Sequence, residues 1–93
     1  MKVFGLSGIR AVITVSGKDQ VGIIAWIATL LARHNANILD TSQTILEELF
    51  SMTMIVDLAA LNIEFSDLRD ILANQGEIRG LKVAMQYEDA VFR

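Results

Sequence analysis

The chain has 93 residues, a formal net charge of −3 and 53% hydrophobic residues, and its mean hydropathy is +0.45. A membrane-spanning helix needs about 20 apolar residues, and the longest apolar run, Ile23 to Ala32, is shorter and interrupted by Thr29. With no cysteine and one histidine, the composition excludes disulfides and a typical zinc site, and its scattered basic residues argue against binding to nucleic acid.

A small chain with this much apolar surface usually buries part of it between subunits. We therefore expect a single domain, residues 1–93, that forms a homodimer or a higher homo-oligomer. Met1 to Ser7 is too short to be the apolar part of a cleavable signal, so the expected location is the cytoplasm. Met1 to Gly8 has no clear period and is predicted to be a lead-in or an extra edge segment.

The first two elements are predicted to be a buried strand and an amphipathic helix. Arg10 to Ser16 is almost entirely apolar or β-branched, which is typical of a central strand buried on both faces. From Val21 the apolar residues recur with helical spacing, at Ile23, Ile27, Leu30 and Leu31. Asp19 is predicted to cap the start of this helix, and Asn35 to end it in the left-handed conformation.

Two strands joined by a hairpin are predicted next. Asn37 to Ile45 has a polar middle and therefore belongs at a sheet edge. Leu46 to Leu49 carries the charges expected at a hairpin tip, although it lacks the Asn-Gly or Asp-Gly pair that marks the tightest turns. Phe50 to Leu58 alternates between apolar and mixed positions, which predicts a strand with one buried face.

A second helix and a fourth strand complete the predicted order. Apolar residues with helical spacing indicate an amphipathic helix that starts near Phe65 and ends at Gly76 or Gly80. Leu81 to Tyr87 alternates as a strand, and Glu88 to Arg93 begins a terminal helix. The element order is that of the α+β ferredoxin-like βαββαβ fold, a four-stranded antiparallel sheet with two helices on one face.

The turn between the first strand and the first helix is the candidate functional feature. Gly17 and Gly22 bound it, and a helix N-terminus after such a turn presents unpaired N–H groups and a partial positive charge to a small anion. The glycine spacing is that of a phosphate-binding P-loop, but Ile23 and Ile24 stand where a lysine and a hydroxyl residue are required, which excludes nucleotide hydrolysis. Asn37, after the helix, is predicted to lie beside this turn.

Each of these residues also has an ordinary structural interpretation. The glycines can serve only the turn and close helix packing, Asp19 can be a simple N-cap, and Asn37 can satisfy its own backbone in a turn. Trp26 lies off the apolar stripe of the first helix, where it either fills the edge of the core or covers an interface or cavity. No catalytic triad, carboxylate pair or metal cluster stands out, so we predict no enzyme activity, no cofactor and no metal.

From Arg10 to Tyr87 the sequence resembles the ACT domain family, the ligand-binding regulatory module of amino-acid metabolism. The family's first turn usually has Asp-Arg-Pro-Gly and a large aliphatic residue; Asp19-Gln20-Val21-Gly22-Ile23 keeps the acid, the glycine and the aliphatic residue, with Val21 in place of proline. The family's Asn-Ile after the first helix is matched by Asn37-Ile38. The run from Asn37 to Thr44, followed by Phe50-Ser51-Met52, more closely resembles short stand-alone ACT proteins related to the glycine-cleavage regulator.

The resemblance implies a sheet in the order 4-1-3-2, dimerisation through sheet edges or faces, and a free amino acid or similar zwitterion bound between protomers. The ligand carboxylate would bind N–H groups near Gly22 and Ile23, and Asp19 or Asn37 would receive its ammonium group. A protein partner that prefers one assembly state would be regulated by this binding. The implied ligand-binding residues are Asp19, Gln20, Val21, Gly22, Ile23, Asn37 and Ile38.

Two other functions remain open. A ligand-free oligomeric scaffold or protein-interaction module would use the turn glycines for packing and the surplus apolar surface for contacts. An acylphosphatase-like hydrolase would need an arginine near the start of the first helix to neutralise the phosphate, and Val21 to Leu31 contains none. RNA binding on a βαββαβ sheet would need exposed aromatic residues on the central strands and basic surroundings, and neither is evident.

Overall fold

The computed structural model describes residues 9–91 and has the predicted α+β ferredoxin-like fold. Its strand pairs are antiparallel, and the strand order β2-β3-β1-β4 is the expected order 4-1-3-2 taken from the other edge. The predicted lead-in Met1 to Gly8 lies outside the described residues. The elements in chain order are β1 (Arg10–Lys18), α1 (Ile23–Arg33), β2 (Asn37–Leu46), β3 (Leu49–Asp57), α2 (Phe65–Ile78), β4 (Leu81–Tyr87) and α3 (Glu88–Val91).

β1 is one of the two interior strands of the sheet, with β3, and is two residues longer than predicted. It continues past Ser16 because Gly17 and Lys18 pair with Phe50 and Leu49 of β3. This continuation depends on residues more than 30 positions away in the chain, so the local sequence pattern does not contain it.

The predicted burial of β1 on both faces is only partly correct. Ala11, Ile13 and Val15 are buried in the core under the helices, and Val12 is buried on the opposite face. Thr14 is exposed on that opposite face, because no helix between residues 9 and 91 covers the middle of it. The strand is thus central in the sheet without being enclosed on both sides.

A single apolar core lies between the sheet and helices α1 and α2. β3 shows the predicted alternation, with Phe50, Met52, Met54 and Val56 buried and the residues between them on the other face. A slip of one residue in the strand pairing would turn this apolar set toward solvent, so the register is strongly specified. The largest fully buried side chains are Ile13, Ile27, Leu31, Leu68, Leu72, Val15 and Val56.

The prediction that Asp19 caps α1 is wrong. Gly22 precedes the helix with φ 94°, and no side chain bonds to the helix N-terminus. Asp19 lies three residues before that position, and its backbone N–H donates to the Glu48 carbonyl oxygen at 2.7 Å. That bond keeps Asp19 in line with the sheet, so its carboxylate is not positioned over the first helical turn.

α2 ends near Gly80, one of the two predicted ends. Gly80 follows the helix with φ 76°. Gly76, the other candidate, is buried inside the helix, where α2 packs so closely on β4 that a Cβ would lie 2.5 Å from Val83 Cγ2. The glycine at position 76 therefore serves packing and does not terminate the helix.

β4 ends in an aromatic contact, and a short helix follows it. Tyr87 continues the apolar face of β4 but is about half exposed, and its ring stacks on Phe65 at a centroid distance of 4.0 Å. The predicted terminal helix is present as α3, whose Glu88 Oε1 lies 3.2 Å from Arg10 Nε. Between residues 9 and 91, no helix combines the length and the apolar character needed to cross a membrane.

Asn35 ends α1 in the predicted left-handed conformation, with φ 60°. Replacing Asn35 with alanine should lower the free energy of unfolding by about 1 kcal/mol, because a left-handed backbone disfavours a Cβ that lacks a local hydrogen-bonding group. Replacing it with glycine should leave stability nearly unchanged. Urea unfolding followed by circular dichroism measures both, and equal losses would mean that the asparagine side chain, and not the backbone conformation, matters there.

Candidate functional site

The β1–α1 turn, residues 19–22, lies at the end of the sheet where β1 finishes and the β2–β3 hairpin turns. All four residues of the turn are exposed to solvent, and Val21 is fully exposed. Gln20 Nε2 donates to the Arg79 carbonyl oxygen at 3.0 Å, in the turn that follows α2. The turn is therefore anchored to the sheet at Asp19 and to the residue after α2 at Gln20. Val21, the next residue, is exposed to solvent.

The first amides of α1 are open at this turn. The N–H groups of Ile23, Ile24 and Ala25 have no hydrogen-bond acceptor within the part of the chain that the structure describes. A Cβ built on Gly22 would meet no atom within 4 Å, so the space beside the residue that precedes these amides is free. The Ile23 side chain is buried in the core, which leaves its backbone as the group available to a ligand.

Asn37 and Ile38 lie at the opposite end of the molecule from this turn, so the expectation that Asn37 sits beside it is wrong within one chain. Asn37 pairs with Asp57, whereas the end of β1 pairs with Leu49. The reason is chain direction: α1 runs back along the sheet for 11 residues, which is about 16 Å at 1.5 Å per residue. Its end returns to the level where β1 begins.

Asn37 and Ile38 line an open pocket, the Asn37 cavity, with a volume of about 480 Å³. Small side chains on one face of α1 leave the space open, and Asn35 and Asn37 bring amide groups to it. Sequence reasoning missed Asn35 and Ala60 as part of the site; the only local signal was the Asn-Ala-Asn triplet that ends the helix. The residues around the cavity are Ala28, Ala32, Asn35, Ala36, Asn37, Ile38 and Ala60.

β2 is the edge strand next to this cavity, as predicted, and almost all of it is exposed on both faces. A bulge lies between Ile38 and Asp40, after which Asp40 to Leu46 pairs regularly with β3. Three apolar side chains of β2 are exposed, and Leu46 is 73% accessible. Among residues 9–91 this edge has a row of backbone groups that no other strand pairs with, with apolar residues beside them, and such an edge favours pairing with another strand.

The described residues, 9–91, contain no group of three or more histidine, aspartate or glutamate side chains that could hold a metal ion. What the two ends do offer is complementary: open N–H donors at the β1–α1 turn, and amide groups with a small apolar cavity around Asn37. Donors of the first kind suit a carboxylate, and an asparagine can both donate to and accept from a polar ligand.

A model of the ACT domain family matches residues 10–86. The chain is 50% identical over 80 residues to a UPF0237 protein of Methanopyrus kandleri, a match that covers 86% of this chain and 89% of that protein. It superposes on an ACT domain protein from Streptococcus pneumoniae with a TM-score of 0.78 and 33% identity, covering 91% of this chain and 96% of that one. A protein classed as a glycine cleavage system transcriptional repressor shares the fold, with a TM-score of 0.72, 21% identity, and coverage of 85% of this chain and 45% of that one.

Proposed function

Because the chain belongs to the ACT domain family, a family of regulatory small-ligand-binding modules, we propose that it binds a free amino acid or a similar zwitterion where two copies of the chain meet. In this proposal the protein is not a catalyst: it reports the ligand to a protein partner through its assembly state. A sensor of this kind acts where amino acids are made and used, so the proposed location is the cytoplasm.

The observation that carries the proposal is the open N-terminus of α1. Three successive amides, of Ile23, Ile24 and Ala25, lack an acceptor among the described residues, and no side chain caps them. A helix N-terminus carries about half a positive charge, and its free N–H groups bind carboxylates well. A ligand carboxylate is proposed to sit in front of Gly22, where nothing fills the space.

The second half of the proposed site is the cavity around Asn37. The side-chain carbonyl oxygen of Asn37 is proposed to accept a hydrogen bond from the ligand ammonium group. The apolar side chains of Ala28, Ala32 and Ile38, which line the cavity, are proposed to contact the ligand side chain. Asp19, exposed in the turn, is the second proposed acceptor for the ammonium group.

A two-fold axis beside β2 would bring these two halves together. If β2 pairs antiparallel with the β2 of a second copy, the Leu46 end of one strand lies beside the Asn37 end of the other. The β1–α1 turn is at the Leu46 end of each chain, and the cavity is at the Asn37 end. Such pairing is proposed to unite the turn of one chain with the cavity of its partner, which is why the ligand would stabilise the dimer by mass action.

Isothermal titration calorimetry against each free amino acid tests the ligand directly. We expect saturable heat for one amino acid or a small related group, with a stoichiometry of one ligand per chain. Dimers that give no heat with any amino acid at millimolar concentration would remove the sensor function and favour the ligand-free scaffold. Monomers under all conditions would remove the shared site itself.

Replacing Gly22 with leucine should weaken the binding detected in this way at least tenfold, because the new side chain would enter the open space beside Gly22 in which the ligand carboxylate is proposed to sit. The fold should persist, with a loss of about 1 kcal/mol from placing a side chain at a left-handed φ. Gly22→Ala is the matched control, since it carries the same backbone strain with a much smaller side chain. Equal loss of binding in both variants would show that strain in the turn, and not access to the amides, controls the affinity.

A further inference from the structure

A second pocket lies between α1 and α2, on the helical side of the molecule, and we name it the interhelical pocket. It has a volume of about 370 Å³, and its polar lining comes from Trp26, Thr29 and Arg33 of α1 and from Gln75 and Arg79 at the end of α2. Its lining shares Ala25 with the amino-acid site proposed above, and the five polar residues are not part of that site. We propose that this pocket binds a small oxyanion, the phosphate or carboxylate group of a metabolite.

Trp26 and Gln75 fix the polar geometry of the pocket. Trp26 Nε1–H donates to Gln75 Oε1 at 3.0 Å. Because the indole nitrogen can only donate, the carbonyl oxygen of the Gln75 side chain must face Trp26, and its NH₂ group is directed elsewhere. No acceptor for that NH₂ group occurs among residues 9–91. Gln75 therefore offers a ligand two N–H donors whose orientation is already fixed by the bond to Trp26.

Arg79 is also held in place before any ligand arrives. Its guanidinium carbon lies 4.6 Å from the centroid of the Trp26 ring, as in a cation–π contact. Its Nη1 donates to the Gln75 carbonyl oxygen at 3.1 Å. That bond uses one of the five guanidinium N–H groups, so an ordered arginine with several free donors borders the pocket.

The pocket holds a surplus of positive charge in an acidic protein. Arg33 and Arg79 both border it, whereas no aspartate or glutamate does. The ion pairs found within the described part of the chain use Arg10, Lys18 and Arg69 and do not include these two arginines. Both are exposed near the C-termini of their helices, and a concave site with two guanidinium groups and no carboxylate favours an anionic ligand.

The expected ligand carries two negative charges or one doubly charged group. Guanidinium groups bind phosphate and carboxylate oxygens through paired N–H donors, and the Thr29 hydroxyl and the Gln75 amide add two neutral donors. A volume of about 370 Å³ lies at the small end of the range for metabolite sites. The pocket therefore fits a compact phosphorylated or dicarboxylate metabolite.

Trp26 is the only tryptophan in the chain, so its fluorescence reports on this pocket alone. We would titrate the protein separately with inorganic phosphate, pyrophosphate and succinate, holding ionic strength constant with potassium chloride. A saturable change in emission with any of these anions supports the site. Response to the phosphates alone assigns it to phosphate esters, and response to succinate alone assigns it to dicarboxylates. The absence of a saturable change with any of these anions, at concentrations up to about 10 mM, would overturn the proposal.

Arginine variants localise the effect. Arg33→Gln and Arg79→Gln should each weaken anion binding about tenfold, measured by calorimetry as well as fluorescence because Arg79 itself contacts the indole. Arg69→Gln is the matched control: Arg69 is an exposed arginine of α2 that pairs with Asp70 at 3.2 Å, outside the pocket. Equal weakening in the control would mean that the net charge of the protein, and not the pocket, determines anion binding, and would contradict the proposed site. Thermal unfolding of each variant verifies that it is folded, and Arg79→Lys, which keeps the charge, should retain part of the affinity.

Discussion

Replacing Gln43 with lysine should convert the proposed dimer into monomers, raising its dissociation constant about 30-fold, which corresponds to roughly 2 kcal/mol. Gln43 is the central residue of Asp40 to Leu46, the segment of β2 that pairs regularly with β3 and is exposed along its outer edge. An antiparallel pair that fully overlaps the Asp40 to Leu46 segments of two β2 strands places each Gln43 opposite its copy. Two lysines would then face each other across the axis.

The size of the effect follows from where these charges would meet. Side chains directly opposite in an antiparallel pair have Cβ atoms about 5 Å apart, and like charges there are destabilising. The repulsion counts only in the assembled state, because Gln43 is exposed in the separate chain, where the lysine is solvated. Edge lysines are also a common device by which proteins prevent strand pairing. Light scattering across a concentration series measures the shift, and amino-acid binding should fall with it, since each proposed site needs both chains.

Gln86→Lys is the control for this experiment. Gln86 is an exposed residue of β4, the other edge of the sheet, and the substitution changes charge by the same amount. It should leave the dimer intact. Monomers from Gln86→Lys together with dimers from Gln43→Lys would move the interface to β4 and separate the two halves of the proposed amino-acid site.

The sequence was sufficient for the fold because each long element has a clear internal period. The alternation in β3 and the helical spacing from Ile23 to Leu31 each identify one buried face, and the chain order of the elements then leaves one common topology. Errors occur where contacts are not local. The continuation of β1 through Gly17 depends on pairing with Phe50, and Asp19 is kept from the helix by a bond to Glu48.

The candidate site was harder to predict because its parts depend on chain direction and on helix packing. The length of α1 places Gly22 and Asn37 at opposite ends of the helix. The types of these residues do not indicate this separation, but the rise per residue of a helix does. The interhelical pocket has a different origin: Trp26 and Gln75 are 49 residues apart and meet only because α1 and α2 pack side by side. The single sequence signal was that Trp26 lies off the apolar stripe; it is partly buried against the core, and its polar atom has a partner.

Replacing Gly17 with alanine should lower the free energy of unfolding by about 3 kcal/mol, a large share of the 5–15 kcal/mol typical of a small domain. A Cβ at position 17 would lie 2.9 Å from the Gly80 carbonyl oxygen, and that oxygen belongs to the backbone turn that starts β4. This close contact can be relieved only if β1 and the turn before β4 move apart. Overpacking of this kind usually removes 1–3 kcal/mol, and φ at Gly17 is 156°, a value that side chains also disfavour.

Gly22→Ala separates crowding from backbone preference at Gly17, because position 22 has φ 94° but no atom within 4 Å of an added Cβ. It should lose only about 1 kcal/mol, so the Gly17 variant should unfold at a temperature roughly 10 °C lower than the Gly22 variant. Both are measured at one protein concentration, since dissociation contributes to the unfolding of a dimer. Equal losses would mean that the β1–β4 approach can relax. A larger loss at Gly17 would make that approach the constraint that fixes where β1 ends and where the amides of α1 are presented.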